Sequence, residues 1–221
     1  MKIEVLTAIP AFTQQFEDKL GFMYTDIVGL VTTGFGDLID WGKRRWTTGD
    51  PLGLTDPSPA LALGWRHSRA KFALPTDELA TAQEIRSGWW AVKNAWPRVQ
   101  SGACEHLTDL RLTESDVDTF LMRVVTGMWA HAQTAYFADC EEWVAPAQLG
   151  LVSLMWAMGD EFEAGYPKFV AAARVQDWMT CARECLMVKP PVPEARNTAN
   201  VKLFKGAAAG LTIAEALAAR E

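Results

Sequence analysis

The chain has 221 residues, of which 49% are hydrophobic and 22% charged, and a formal net charge of -6. That length suits one well-cored domain, in one lobe or two, and is short for two independent domains. No apolar run reaches the ~18 residues that would predict a membrane span. An acidic chain with no extended basic face is not expected to track a nucleic-acid backbone.

The opening stretch MKIEVLTAIP has one lysine, an acid inside its apolar patch and no small-residue cleavage site, so no secretory signal is expected. Residues 8–20 are predicted as the first helix, because Ile9, Phe12, Phe16 and Leu20 recur at three- and four-residue steps. Pro10 falls in its first turn, where a missing N–H is tolerated, and Glu17 falls near its C-terminus. After Gly21 the β-type runs Ile27-Val28 and Leu30-Val31-Thr32-Thr33 flank Gly29, which predicts a hairpin over about 22–36 with Asp26 and Thr32 at its start and end. From Asp37 to Pro59 the chain is rich in Gly, Pro, Asp and Thr and reads as a long loop. It carries Trp41, Lys43, Arg44, Arg45 and Trp46, either a solvated loop packed by two tryptophans or one wall of a glycan cleft.

Residues 60–74 could form a helix ending before Pro75, and Thr76 to Asn94 forms a clearer one, with a threonine cap and early acids. Trp89, Trp90 and Trp96 are read as packing residues. Residues 107–111 are short and ambiguous. A helix from Thr113 to about Phe137 is predicted to turn Val117, Phe120, Leu121, Val124, Val125 and Met128 inward. Residues 146–159 are apolar nearly all round and should be a buried central helix, with Met155 and Trp156 in the core. Helices are expected after Pro190 and, in the alanine-rich end, after Gly210. With no internal repeat or low-complexity linker, residues 1–221 are expected to form a single domain. Cys104, Cys140, Cys181 and Cys185 lack metal or redox spacing and are read as reduced structural thiols. His67, His106 and His131 form no ligand pair, so neither metal nor cofactor is expected.

The stretch from Glu17 to Gly36 carries the chemistry. It sets a carboxylic acid at the end of a helix, a second carboxylate (Asp26) nine residues on, and a hydroxyl (Thr32) six beyond that, followed by Gly34 and Gly36. Two carboxyl groups aimed into one cleft from rigid elements are what glycosidic cleavage needs, one to protonate the leaving oxygen and one to assist from the opposite face. Glu17, Asp26 and Thr32, followed by TGFG, resemble the catalytic signature of the phage-type, T4 lysozyme-like muramidases and endolysins. The likeness runs without a gap from Glu17 through Leu38 and includes Gly29. A second likeness lies in LVSLMWAMGDEFEAGY, which is similar to that family's central helix and following turn at Met158, Gly159, Glu161, Ala164, Gly165 and Tyr166, and it continues to Trp178. Between these stretches the chain is longer than compact members of the family.

The resemblance implies an α+β, mainly helical, lysozyme-like fold of two lobes, with a small hairpin lobe near 22–36 and a larger helical lobe near 76–221. It implies a hydrolase of the β-1,4 bond between N-acetylmuramic acid and N-acetylglucosamine in peptidoglycan, inverting, with Glu17 as acid, Asp26 as base and Thr32 holding the water. Arg196, near the start of the family's last helix, would pair with Glu17; the alternative is an ordinary exposed first-turn arginine. Other expectations from the same residues are a chitinase- or chitosanase-like glycosidase, a lytic transglycosylase, and a catalytically silent wall-binding or virion structural protein. The partner implied is the peptidoglycan glycan strand, with a monomer as the default. A lysin made in the cytoplasm without a signal would reach the periplasmic cell wall through a holin, on a virion or as a delivered effector. One departure stands out: Asp37 occupies a position that is commonly histidine in the family, which puts the bracing of the hairpin in question.

Overall fold

The computed structural model describes residues 1–27, 29–40, 58–68, 75–159, 162–188 and 193–219. The chain is mainly helical with a small antiparallel sheet. It divides into two compact units: Met1–Phe16 together with Met122–Glu221, and Glu17–Leu121.

The first unit is helical. Its opening helix α1 spans Ile3–Thr13, so it starts five residues before the predicted position and carries Pro10 in its second half rather than its first turn. The apolar stripe explains the shift, because Val5, Ile9 and Phe12 form one buried face against the helix α5, Ala145–Met158. Burial of such side chains is worth roughly 1.5–3 kcal/mol each, enough to outweigh one missing backbone hydrogen bond. The buried Gln148 of α5 anchors the entry to α1: its Oε1 accepts the Lys2 N–H at 2.9 Å, while its Nε2 donates to the Cys140 and Glu141 carbonyls, both at 2.9 Å.

As its composition demands, α5 is buried continuously from Ala145 to Met155, although Trp156 is only half-buried. Against it lies α9, Glu194–Ala209, and a Cβ placed on Gly150 would stand 2.7 Å from the Phe204 ring. Glycine here admits close helix approach. The shorter helices α6 (Phe162–Gly165), α7 (Pro167–Arg174), α8 (Trp178–Glu184) and α10 (Ile213–Ala218) also belong to the unit, as does the stretch from Met122 onward of the long helix at Glu114–Ala135. Cys140, Cys181 and Cys185 are buried and free within it, and the fourth cysteine, Cys104, is likewise buried and free in the second unit.

The second unit is built on a three-stranded antiparallel sheet, β1 (Leu20–Thr25), β2 (Val31–Gly34) and β3 (Asp37–Leu38), in that order. Strand β1 thus lies earlier than predicted. Ile27, read as strand, is 81% exposed in the turn, and Asp37–Leu38 is strand rather than loop. Turn chemistry overrides β-propensity at this point: Asp26 Oδ1 accepts the Leu30 N–H at 2.8 Å, Asp26 N donates to Leu30 O at 2.9 Å, and Gly29 adopts φ +81°.

Helix α3, Ala82–Ala95, packs against β1. Its cap is Thr81, not Thr76, in a capping box with Glu84. Trp89 is fully buried and donates to Ile39 O at 3.1 Å, whereas Trp90 and Trp96 are about two-fifths exposed, and the Trp96 face covers Gly29. In place of the helix expected at 60–74 stand the short helix α2 (Ser58–Leu61) and strand β4 (Arg66–His67), which pairs with β5 (Leu110–Arg111) after a 3-10 helix at Ser101–Leu107. Helix α4, Glu114–Ala135, follows; of its predicted inward residues Val117, Phe120, Leu121 and Val125 are buried, while Val124 and Met128 are half-buried.

Candidate functional site

Glu17, Asp26 and Thr32 all belong to the second unit. Glu17 does not sit on the helix as predicted. Helix α1 ends at Thr13, the backbone turns through Gln15 N to Phe12 O and Phe16 N to Thr13 O, and Glu17 lies half-buried in the bend before β1. Asp26 follows the end of β1 at the turn, not the start of the hairpin. Thr32 is buried inside β2, directly opposite Tyr24 of β1.

In an antiparallel pair, directly opposed residues project from the same face, so Tyr24 and Thr32 stand side by side. Thr32 Oγ1 lies 3.4 Å from the Tyr24 carbonyl oxygen, a long, weak donation. Burial lifts the phenol above its ordinary pKa. The neighbouring Thr32 hydroxyl opposes that rise, and the carboxylates of Glu17, Asp37 and Asp18 add to it. The Tyr24 phenol thus senses the charge of Glu17 from the bend before its own strand. Sequence reasoning missed Tyr24, although its place two residues before Asp26 on a strand facing Thr32 was the available signal.

Two glycines shape the turn beside the phenol. Gly34 has φ +62° and Gly36 φ +91°, conformations that favour glycine. A Cβ on Gly34 would stand 2.5 Å from Asp37 Oδ2, and one on Gly36 would stand 3.9 Å from Tyr24 Oη. The Asp37 carboxylate accepts the Phe35 N–H at 3.2 Å and is buried. Asp37 therefore braces the β2–β3 turn from within.

Arg196 lies in the first turn of α9 and is buried, not exposed to water. Its guanidinium stands 4.9 Å from the centre of the Phe16 ring, a cation–π distance, and Nη1 approaches Ser153 O at 3.5 Å. At the likeness in the helical unit, Gly159 caps α5 with φ +66° and Tyr166 donates to Met158 Sδ at 3.6 Å. Glu161, and the basic and aromatic positions Trp41, Lys43, Arg44, Arg45 and Trp46, lie outside the described residues.

A hollow of about 630 Å³ in the second unit is lined by His67, Thr81, Glu84, Ser87, Thr108 and Asp109 among others, with none of the trio in its wall. His67 stands 3.5 Å from both Glu84 and Asp109. Among the described residues no group of three or more His, Cys, Asp or Glu is arranged to hold a metal ion, and no helix is long and apolar enough to cross a membrane. Compared with protein-family models, with curated proteins and with solved structures, the chain matches none.

Proposed function

We propose that this chain is a peptidoglycan hydrolase of the phage-type muramidase kind, with a lysozyme-like fold whose site lies on the hairpin unit. One observation carries the proposal: Thr32 stands directly across the ladder from Tyr24, whose phenol feels the Glu17 carboxylate, and Asp26 lies two residues further along the same strand path. Glu17 is the general acid that protonates the oxygen between N-acetylmuramic acid and N-acetylglucosamine. Asp26 accepts a proton from water as that water attacks the anomeric carbon. Thr32 holds the water, and the product inverts, which calls for a carboxyl separation of roughly 6.5–9.5 Å.

The turn bond to Leu30 N–H uses one oxygen of the Asp26 carboxylate, and an ionised carboxylate has about four lone-pair sites, so that bond does not by itself bar a chemical role. That same bond favours a second reading, a catalytically silent glycan-binding protein that keeps Asp26 for its turn alone.

Mass spectrometry of muropeptides released by the parent and by Glu17→Gln, in ¹⁸O-labelled water, separates the two. The parent is expected to release fragments with one labelled oxygen at the new reducing end, and Glu17→Gln to lose on the order of 10² to 10⁴ in rate, the usual contribution of general acid catalysis. Release at the parental rate by Glu17→Gln overturns the assignment. A folded parent that releases nothing favours the silent protein.

A further inference from the structure

We propose that the outer face of the Trp96 indole is a sugar-stacking subsite for the glycan strand, seated on the turn that carries Asp26. The inference rests on the glycan reading of the hairpin unit and adds a binding residue to it.

Read from the sequence as a packing residue, Trp96 packs with one face only. A Cβ placed on Gly29 would stand 2.8 Å from Cδ2 of the indole, 3.0 Å from Cε2 and 3.2 Å from Cε3. Cδ2 is a ring-fusion carbon, enclosed by ring bonds on every side of its own plane, so such an approach comes from above that plane. The Gly29 backbone therefore closes one face of the ring. Trp96 is nonetheless 40% exposed, and that exposure falls on the rim and the opposite face. Among the described residues no hydrogen-bond acceptor meets its Nε1–H and no second ring stacks on it.

The platform is held from both sides. The residue before a proline is driven to extended backbone, and Trp96 accordingly leaves helix α3 at φ -65°, ψ 142° ahead of Pro97. Beneath it Gly29, with φ +81°, is pinned twice: its N–H donates to Asp26 O at 3.1 Å and its carbonyl accepts from Lys93 Nζ at 2.7 Å. A flat ring already fixed on a fixed turn has little freedom left to lose when a ligand lies on it, which is the advantage of a preorganised surface.

Size, shape and place identify the occupant. Trp96 and Ile27, exposed in the same turn, together offer on the order of 200 Å² of apolar area. A stable protein interface takes ~800 Å² per partner, so this surface suits a ligand one ring wide. A pyranose of a β-1,4 chain turns an apolar C–H face one way and carries its hydroxyl and N-acetyl groups on its rim, which matches an apolar plane with a free N–H at its edge. The seat of the indole, Gly29, belongs to the same hydrogen-bonded turn as Asp26, so a sugar on Trp96 is a near neighbour of one at the proposed base.

The test uses the whole chain carrying Glu17→Gln, so that a soluble hexasaccharide of alternating N-acetylglucosamine and N-acetylmuramic acid is bound without being consumed. The indole N–H signals of the ten tryptophans are followed by ¹⁵N NMR, with Trp96 assigned by Trp96→Phe. The Trp96 signal is expected to shift as hexasaccharide is added. On the same background Trp96→Leu, which still covers Gly29 but has no flat face, should raise Kd roughly threefold to tenfold, the worth of one aromatic contact. Trp96→Phe should keep most of the affinity. A purely structural tryptophan would instead lower Tm in both variants and leave their Kd values equal.

A Trp96 signal that stays in place while others move, or an unchanged Kd in Trp96→Leu, overturns the inference and leaves the hydrolase proposal intact. If no signal moves, the unit binds no glycan strand and the inference falls, while muropeptide release by the parent judges the hydrolase proposal separately. A parent that releases nothing, with a Trp96 signal that still shifts, keeps the platform and makes the unit a glycan binder without cleavage.

Discussion

Lys93 Nζ donates to Asp40 Oδ2 at 2.6 Å, and both groups are buried. The same ammonium reaches the Gly29 carbonyl oxygen at 2.7 Å, and the same carboxylate oxygen accepts the Val31 N–H at 3.2 Å. One ion pair thereby ties helix α3 to both sides of the turn that carries Asp26 and leads into Thr32.

Removing Lys93 strips a buried carboxylate of its ammonium, which typically costs about 3–5 kcal/mol. Lys93→Met should therefore lower the urea midpoint sharply. In Lys93→Met/Asp40→Leu much of that loss should return, because no charge is left buried. Recovery should stay incomplete, since the Gly29 carbonyl and Val31 N–H each lose a partner. Equal stability of the single and double variants would count against the pair's role.

Asp26 offers a separation of structure from chemistry. Asp26→Asn keeps an oxygen to accept the Leu30 N–H and should unfold within about 0.5 kcal/mol of the parent, whereas Asp26→Ala should lose about 1–2 kcal/mol with the turn bond. Both should lose activity alike if the carboxylate is the base. Full muropeptide release by Asp26→Asn would restrict Asp26 to the turn.

Much of the helical framework was legible in the sequence and the sheet less so, for reasons that attach to particular residues. Helix α5 announced itself because its apolar residues surround it, and α10 because Thr212 and Glu215 make a capping box after Gly210. Thr81-x-x-Glu84 was an equally plain box, but Thr76 with its own early acids competed for the start of α3. Strands β4 and β5 pair Arg66 with Arg111 across a long separation, which no local pattern encodes. The trio proposed for hydrolysis was readable as spacing. That Glu17 leaves the helix before the sheet begins, and that Tyr24 lies directly opposite Thr32, depended on where the helix ends and on the ladder register.

Acid should loosen the start of α4 through Asp116. Burial raises its carboxyl pKa, but the Thr113 hydroxyl at 2.6 Å, the Thr113 N–H at 3.1 Å and the Arg66 guanidinium outweigh burial and hold it below the ordinary value. A carboxylate depressed by folding contributes stability that is present above its unfolded pKa of about 4 and is lost as pH falls through the folded value. The stability gap between the parent and Asp116→Asn should therefore be full at about pH 6 and close as pH falls below about 4. A gap that is constant with pH, measured by urea unfolding, would assign the effect to something other than this charge.

The cysteines should be silent in the native state. Burial pushes the Cys140 thiol up to about 11 and those of Cys181 and Cys185 to about 12, and Cys104 is buried as well. Since the thiolate is the reactive form, an aromatic disulfide reagent at about pH 8 should modify none of them until denaturant is added, and then all four. Rapid colour development from the folded protein would contradict this.

Helix α1 is made well before α5, yet it buries Val5, Ile9 and Phe12 against that helix. On the ribosome it must wait for its partner to emerge, whereas the segment from Glu17 to Leu121 has its own packing partners as soon as Leu121 clears the exit tunnel. Vectorial synthesis, which lets contiguous units fold as they appear, thus favours completion of the sheet with its acids and hydroxyls while the helical unit is still an open chain.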